Sequence, residues 1–327
     1  IGMVVVTTIF NVVTLLINYW YCKKRLKIQV RFGHFQWGFF KEVSVYSFWI
    51  FLNAIMDRIY WSTGQFVLGM FKGAAVVAVY AVAIQLQAIY MGFSTAISGV
   101  FLPKVTAMVT KENNEKAISD LFIRTGRIQY IIIAFILTGF VVFGKSFIRL
   151  WAGSDYEDAY GITLCFFIPM TVPLIQNLGI IILQARNQMK FRSTLYVVIA
   201  FVSLVISIPL SKQYGGIGCA ISIALALTTG QIIVMNIYYH RVIHIDILDF
   251  WKEIGKMSLV PFAIGSLSFY LFCIYEIHTV QIFIVCIFAF SCIYVPLFWF
   301  FGMNAYEKEL FVSPVRRFVG RLQKNLQ

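Results

Sequence analysis

Nine long apolar stretches dominate this sequence, and an α-helix needs only about 20 such residues to cross a bilayer. Because a membrane interior offers no water to backbone amides, segments of this kind are expected to be helical. Charged residues make up 13% of the chain, against about 25% in soluble domains. The sequence therefore predicts an all-α, polytopic membrane helix bundle with spans near 1–21, 43–71, 76–103, 128–148, 161–185, 194–211, 216–239, 258–275 and 279–301.

The net charge of +13 could suggest nucleic acid as a partner, but its distribution indicates membrane topology. If the first connection is cytoplasmic, 22 of the 27 Lys and Arg residues fall in cytoplasmic segments and 4 fall outside. This asymmetry is the positive-inside pattern. It argues against a nucleic-acid partner and predicts a multi-pass protein of the inner, cytoplasmic membrane that contacts membrane lipids, with a cytoplasmic C-terminus. The odd number of spans then places Ile1 outside, and we expect further residues before it.

The second span, 43–71, carries Asp57 and Arg58 near its centre. A charge at mid-bilayer costs about 2.5–3.5 kcal/mol on the lenient insertion scale, so such groups are expected to face a bundle interior or water. Helical geometry places the polar side chains of this span within an arc of about 140°. The predicted cavity-lining residues are Asn53, Asp57, Arg58, Trp61 and Gln65. The alternative is a buried ion pair that fixes helix register and binds no ligand.

Polar residues also share one side of the third and fifth spans. Pro169 and Pro173 predict a bend in the fifth span, whose freed carbonyl groups need partners from neighbouring helices. Spans eight and nine are almost wholly apolar and are expected to be lipid-facing. This distribution is typical of a channel or transporter. The polar residues of spans three and five are Tyr80, Gln87, Ser94, Ser98, Gln176, Asn177 and Gln184.

Motifs of the common catalytic and cofactor sites are missing from the sequence. There is no Walker motif, no HExxH, no dinucleotide-binding glycine pattern after a strand and no CxxC pair. Carboxylates in the predicted cytoplasmic connections are scattered among lysines, unlike a Mg²⁺ site. We therefore expect a protein that is not an enzyme and that holds no cofactor or metal.

Four stretches resemble the oligosaccharide flippases of the multidrug/oligosaccharidyl-lipid/polysaccharide (MOP) superfamily, Wzx type. The resemblance implies two six-helix lobes around a central cleft, with about five helices of the first lobe preceding Ile1. The stretches are FWIFLNAIMDRIYWSTGQFVLG (48–69), VAVYAVAIQLQ (77–87), FIRLWAGSDYEDA (147–159) and IILQARNQMKFRS (181–193). The implied segments are the last helix of the first lobe (1–22), a cytoplasmic interfacial linker (23–42), the second lobe (43–240), a cytoplasmic linker (241–257), an accessory helix pair (258–301) and a basic cytoplasmic tail (302–327).

The resemblance also implies a function in surface polysaccharide and O-antigen biosynthesis. The protein would flip polyprenyl-pyrophosphate-linked oligosaccharide repeat units across the membrane by alternating access, with a polysaccharide polymerase and a chain-length regulator as candidate partners. In that role Arg58 would bind the pyrophosphate and Asp57 would orient it or titrate with an ion gradient. Trp61 or Tyr60 would stack on a sugar, and Asn53, Gln65, Gln87, Gln176 and Asn177 would complete the substrate-binding set.

Three alternatives stay open at this point. A multidrug cation antiporter of the same fold would need unpaired acids inside the membrane, and Asp57 stands beside an arginine. A membrane polymerase or acyltransferase of the polysaccharide pathway would need large outside loops or buried catalytic His and Asp residues. A structural membrane scaffold would need no binding site.

Overall fold

The computed structural model describes residues 2–25, 36–111, 115–273, 277 and 279–313, and all regular secondary structure in them is helical. This confirms the predicted all-α membrane bundle. The parts of the predicted interfacial linker and basic tail that fall on 26–35 and 314–327 lie outside the described residues. The helices are α1 (Gly2–Lys24), α2 (Trp37–Phe71), α3 (Ala74–Lys111), α4 (Glu115–Trp151), α5 (Ala159–Ile175), α6 (Leu178–Ala185), α7 (Met189–Ala226), a π-helix (Leu227–Val234), α8 (Met235–Arg241), α9 (Ile247–Cys273), α10 (Val280–Phe301) and α11 (305–313).

Within the described residues, six helices are long and apolar enough to cross a membrane, or seven if the bent pair α5 and α6 counts as one span. One of them, 189–241, is 53 residues long and contains a break at Gly215, whose φ of 60° is outside the helical region. Its halves pack against each other as an antiparallel hairpin. The ring of Phe191 stacks on Tyr238 at 4.0 Å, and Gly230 lies against Ile199. Counting the two halves separately and the bent pair as one span gives eight candidate spans in the described residues. The predicted nine would require α2 as well, and α2 is not among these candidates.

Contacts divide the chain into two compact units, Ile1–Ser47 and Phe48–Gln327. The first unit contains α1 and the first turns of α2, and the described side chains of α1 are exposed. The second unit contains the buried core and every site discussed below. The division into six functional segments stays a prediction, although the predicted linker 241–257 is largely helical because α9 begins at Ile247.

The hairpin of α2 and α3 starts the second unit, and only two residues separate these helices. Gly73 adopts a φ of +85°, which suits a glycine in a turn this tight. The polar stripe of α3 is buried and is used for packing: Ser94 Oγ donates to Leu174 O at 2.6 Å, and Gln129 Nε2 donates to Ser98 Oγ at 2.6 Å. This stripe joins α3 to α4 and to α5.

The bend expected from the two prolines lies between α5 and α6, which meet at 46°. Gln176, at the bend, donates through Nε2 to Asn236 Oδ1 at 2.8 Å. The same oxygen accepts from Trp251 Nε1 at 3.0 Å. Hydrogen bonds between side chains therefore tie the break to α8 and α9.

An ion network centred on Arg127 joins α4, α9 and α11. Its guanidinium donates to Glu253 at 2.7 Å and to both carboxylate oxygens of Glu307 at 2.5 and 3.0 Å. Glu307 is 1% exposed and also forms a reciprocal capping pair with Asn304 at the start of α11, with both N–H to O distances at 2.9 Å. Charged side chains thus join the first part of α9 and the start of α11 to α4.

Candidate functional site

A cavity of about 300 Å³ lies inside the second unit, between α2, α3, α5, α6, α7 and the π-helix. Two irregular pieces of backbone border it, namely the α5–α6 break and the π-helix. At membrane depth, irregular backbone is tolerated where it is buried in protein or lines a cavity. The polar residues that line the cavity are Asn53, Asp57, Thr95, Asn177, Gln184, Arg192, Tyr196 and Gln231.

Two hydrogen bonds between α2 and α7 form the charged wall of the cavity. Arg192 Nη1 donates to Asn53 Oδ1 at 2.7 Å, and the Tyr196 hydroxyl donates to Asp57 Oδ1 at 2.9 Å. Residues four apart lie on the same helix face, so the two bonds stack one turn above the other. Ser193 Oγ adds a bond to Trp49 O at 2.9 Å. The carboxylate of Asp57 is therefore oriented by Tyr196.

Arg192 is the cation of this cavity, and it is 7% exposed. Its guanidinium lies 5.2 Å from the centre of the Tyr196 ring, and its Nε has no hydrogen-bond partner. Among the residues that the structure describes, no carboxylate lies within ion-pair distance of it. A buried charge without a counter-ion is costly. Arg127, by contrast, is neutralised by two glutamates.

Other donors of the cavity residues are unpaired as well. The side-chain nitrogens of Asn53 (Nδ2), Trp61 (Nε1) and Gln231 (Nε2) are buried without a hydrogen-bond partner. Buried polar groups are normally satisfied, so such a concentration of unpaired donors in one place needs an explanation. The arrangement favours a ligand that brings hydrogen-bond acceptors. In the described part of the chain, no group of three or more His, Cys, Asp or Glu residues could hold a metal ion.

The structure brings four of the eight residues predicted for the site to the cavity wall and places the other four elsewhere. The first four are Asn53, Asp57, Trp61 and Asn177. Among the others, Arg58 is exposed and Gln65 is half-buried, and neither lines the cavity. Gln87 donates to Met170 Sδ at 3.5 Å, and Gln176 is engaged at the bend. The binding roles assigned to these eight residues stay predictions.

Arg192, Tyr196 and Gln231 line the cavity but are not among the residues predicted from the sequence. Arg192 falls just before an apolar run that begins near residue 194, so it was assigned to a cytoplasmic connection. The helix in fact begins at Met189, which places Arg192 on its first turn. The spacing of four between Arg192 and Tyr196 is the sequence signal that could have placed both on one helix face.

The bundle and its internal polar cavity define a multi-pass helical membrane protein with room for a buried polar ligand. Residues 2–161 match the model of a family described as polysaccharide biosynthesis protein. This part of the chain, just under half of it, is therefore similar to a polysaccharide biosynthesis family. The match includes the α2 side of the cavity and ends before Arg192. No curated protein and no solved structure matches the chain.

Proposed function

We propose that the protein is a transporter that flips polyprenyl-pyrophosphate-linked oligosaccharide repeat units from the inner to the outer leaflet of the cytoplasmic membrane by alternating access. The cargo would supply surface polysaccharide biosynthesis, the process to which the family match points. The cavity of about 300 Å³ is at the lower end of ligand pockets, so it suits one polar part of the cargo. The rest of the repeat unit would occupy the cleft shared with a first lobe.

The observation that carries this proposal is the buried, uncompensated guanidinium of Arg192 inside a membrane-embedded cavity. A planar guanidinium suits phosphate oxygens because it can donate two parallel hydrogen bonds. Its desolvation cost would be offset when an anionic cargo arrives. A drug antiporter that selects cations would be disfavoured by the same charge, since Asp57, the acid that lines the cavity among the described residues, already accepts a bond from Tyr196.

The test uses cells that lack the gene and carry either the wild-type protein or a variant. We expect loss of the gene to accumulate lipid-linked repeat units on the cytoplasmic face, measured as carrier-linked sugar protected from an externally added label. Arg192→Gln should reproduce this accumulation while reaching the membrane in normal amounts, and Arg192→Lys should restore part of the export. Absence of accumulation in the cells without the gene would overturn the proposal. Unpolymerised repeat units on the outer face would instead support a polymerase.

Arg58→Gln is the matched comparison, because it removes the same charge from an exposed position on α2. Normal export in Arg58→Gln and blocked export in Arg192→Gln is the result we expect. The opposite pattern would assign phosphate binding to Arg58, as the sequence predicts, and would leave the flipping function standing.

A further inference from the structure

The π-helix between α7 and α8 is an unusual piece of backbone beside the cavity. It extends over eight residues, Leu227–Val234, whereas π-helical segments are rare and often occur at functional sites. Leu227 and Gln231 line the cavity. On the other side, Thr228 is exposed and bonds back to Ala224 O at 2.8 Å. The segment therefore has one face toward the cavity and one face away from it.

Gln231 is held at the cavity with an unused donor. The residue is 5% exposed, and its Nε2 has no hydrogen-bond partner. Glutamines elsewhere in the bundle behave differently: Gln129 donates to two serines, and Gln176 pairs with Asn236. A buried donor that stays unpaired destabilises a fold, so packing alone does not account for Gln231.

Trp61 lines the same cavity from α2 and carries a second buried donor without a partner. Its ring packs edge-on with Phe166 at 5.6 Å and with Tyr60 at 5.3 Å, and only 9% of the residue is exposed. Too little ring surface is free for stacking on a sugar. What this side chain can offer a ligand is its indole N–H, which has no partner.

The buried, unpaired side-chain atoms at the cavity are all donors, although Asp57, Asn177 and Gln184 also line it and carry acceptors. Each sugar hydroxyl brings a donor as well as an acceptor, so a sugar site needs acceptors too. The unpaired nitrogens of Trp61, Gln231 and Arg192 are all donors. An oxygen cluster that only accepts, such as a phosphate or a carboxylate, matches this set.

We infer that Gln231, presented by the π-helix, and Trp61 contact the ligand directly and complete with Arg192 a binding site for an anionic oxygen group. This inference rests on the proposed function, since it assigns the site to part of the transported cargo. Two parts of such a cargo carry this chemistry, the diphosphate of the lipid carrier and the carboxylate of an acidic sugar.

The test observes Trp61 itself in the purified full chain in lipid nanodiscs. With tryptophan labelled by ¹⁵N, the chain's seven tryptophans give separate indole N–H signals, and the signal lost in Trp61→Phe is that of Trp61. The probes are inorganic pyrophosphate, glucuronate and glucose. We expect pyrophosphate or glucuronate to move the Trp61 signal downfield in a saturable way, and glucose to leave it unchanged.

Variants at Gln231 then separate a ligand contact from a structural role. Gln231→Leu should weaken binding of the effective probe by about tenfold to a hundredfold, as expected for one hydrogen bond to a charged group. Gln231→Glu, with nearly the same shape and an added negative charge, should weaken it further. Thr228→Val, on the outer face of the same π-helix, should bind as the wild type does. Each variant is compared only after its gel-filtration profile matches that of the wild type.

The outcomes distinguish the two possible sources of the anionic group, and they separate a failure of this inference from a failure of the proposed flipping function. A response to pyrophosphate alone assigns the site to the carrier diphosphate, and a response to glucuronate alone assigns it to an acidic sugar. No response to either, or unchanged binding in both Gln231 variants, overturns the inference. If lipid-linked units still accumulate in cells without the gene, the flipping function survives that failure.

Discussion

The ion network around Arg127 allows a quantitative test of what fixes α9 and α11 to α4. We expect Arg127→Met to destabilise the folded protein by about 3–4 kcal/mol. Removing one partner of a buried ion pair leaves the other charge uncompensated, and this costs about 3–5 kcal/mol of stability. Glu307 is 1% exposed and would lose two of its three donors. It would keep the Asn304 N–H at 2.9 Å, which favours the lower end of that range.

Glu253 contributes less to the expected loss of stability, because its interaction with Arg127 is partly screened by solvent. Its side chain is 33% exposed and keeps a second partner, Lys256 Nζ, at 2.6 Å. An exposed pair of this kind contributes about 0.2–1 kcal/mol. Most of the expected loss in Arg127→Met therefore comes from Glu307.

The assay is reversible unfolding of the purified protein in mixed micelles, followed by tryptophan fluorescence. The double variant Arg127→Met/Glu307→Gln removes both charges, and we expect it to be at least about 2 kcal/mol more stable than Arg127→Met alone, because replacing a whole buried pair is often near neutral. Arg124→Met is the matched control, one turn earlier on α4. Arg124 is exposed and lies 5.4 Å from the Tyr306 ring, a contact of about 0.5–1 kcal/mol.

Two results would refute the reasoning. A loss below about 1 kcal/mol in Arg127→Met would mean that Glu307 finds water or another donor, contrary to its burial. A double variant no more stable than Arg127→Met would mean that the loss comes from packing and not from the unpaired carboxylate.

Two further predictions concern the hairpin of the 53-residue segment and the loop before α5. A Cβ on Gly218 would lie 2.1 Å from the backbone oxygen of Leu210, so Gly218→Ala should lower the unfolding free energy by about 1–3 kcal/mol or more. The control is Gly92→Ala, which has open space around it and should be neutral or slightly stabilising. Equal effects of the two substitutions in the same micelle assay would contradict the contact. The hydrogen bond that Arg149 donates lowers the pKa of Glu157 below its ordinary 4.5, so this carboxylate should stabilise the fold at neutral pH and lose that effect as the pH falls through the lowered pKa. Wild type should then exceed Glu157→Gln in stability at pH 7, and the difference should shrink as the pH falls below 4.5; a difference independent of pH would show that the carboxylate is not stabilised in this way.

Much of the architecture follows from local patterns. Apolar runs with a biased charge distribution predict the spans, because each span must satisfy its own backbone and hide its side chains in lipid. Pro169 and Pro173 predict a bend in this span; both lie inside α5, and the observed bend follows directly after that helix. The side of α2 that carries Asn53, Asp57 and Trp61 follows from helical spacing, and these three residues do line the cavity.

The rest of the site depends on features with no local signal. Hydropathy locates the start of a span by its apolar residues, so the first turn of α7, which carries Arg192, is assigned to the loop. Whether Arg58 or Asp57 faces inward depends on a difference of about 100° in helix rotation, and only the neighbouring helices decide it. The π-helix that presents Gln231 has no distinctive amino-acid composition, since its sequence, LTTGQIIV, would suit an ordinary membrane-spanning α-helix.

The two buried arginines show why residue type and burial alone do not identify a binding site. Arg127 and Arg192 are 5% and 7% exposed, and both sit near the end of a span. The carboxylates that neutralise Arg127 are 126 and 180 residues away in sequence, so no spacing rule could have found them. For Arg192, by contrast, α2 offers the neutral amide of Asn53 as a hydrogen-bond acceptor, where a purely structural site would offer a carboxylate. A buried cation that its own fold only partly satisfies is stable enough to persist and is still able to gain from an incoming anion. On this argument, supplying the missing acid should remove the site: Asn53→Asp would pair with Arg192 directly, stabilise the empty protein and weaken pyrophosphate binding in the indole assay. Unchanged binding in Asn53→Asp would show that the charge of Arg192 is not what the ligand uses.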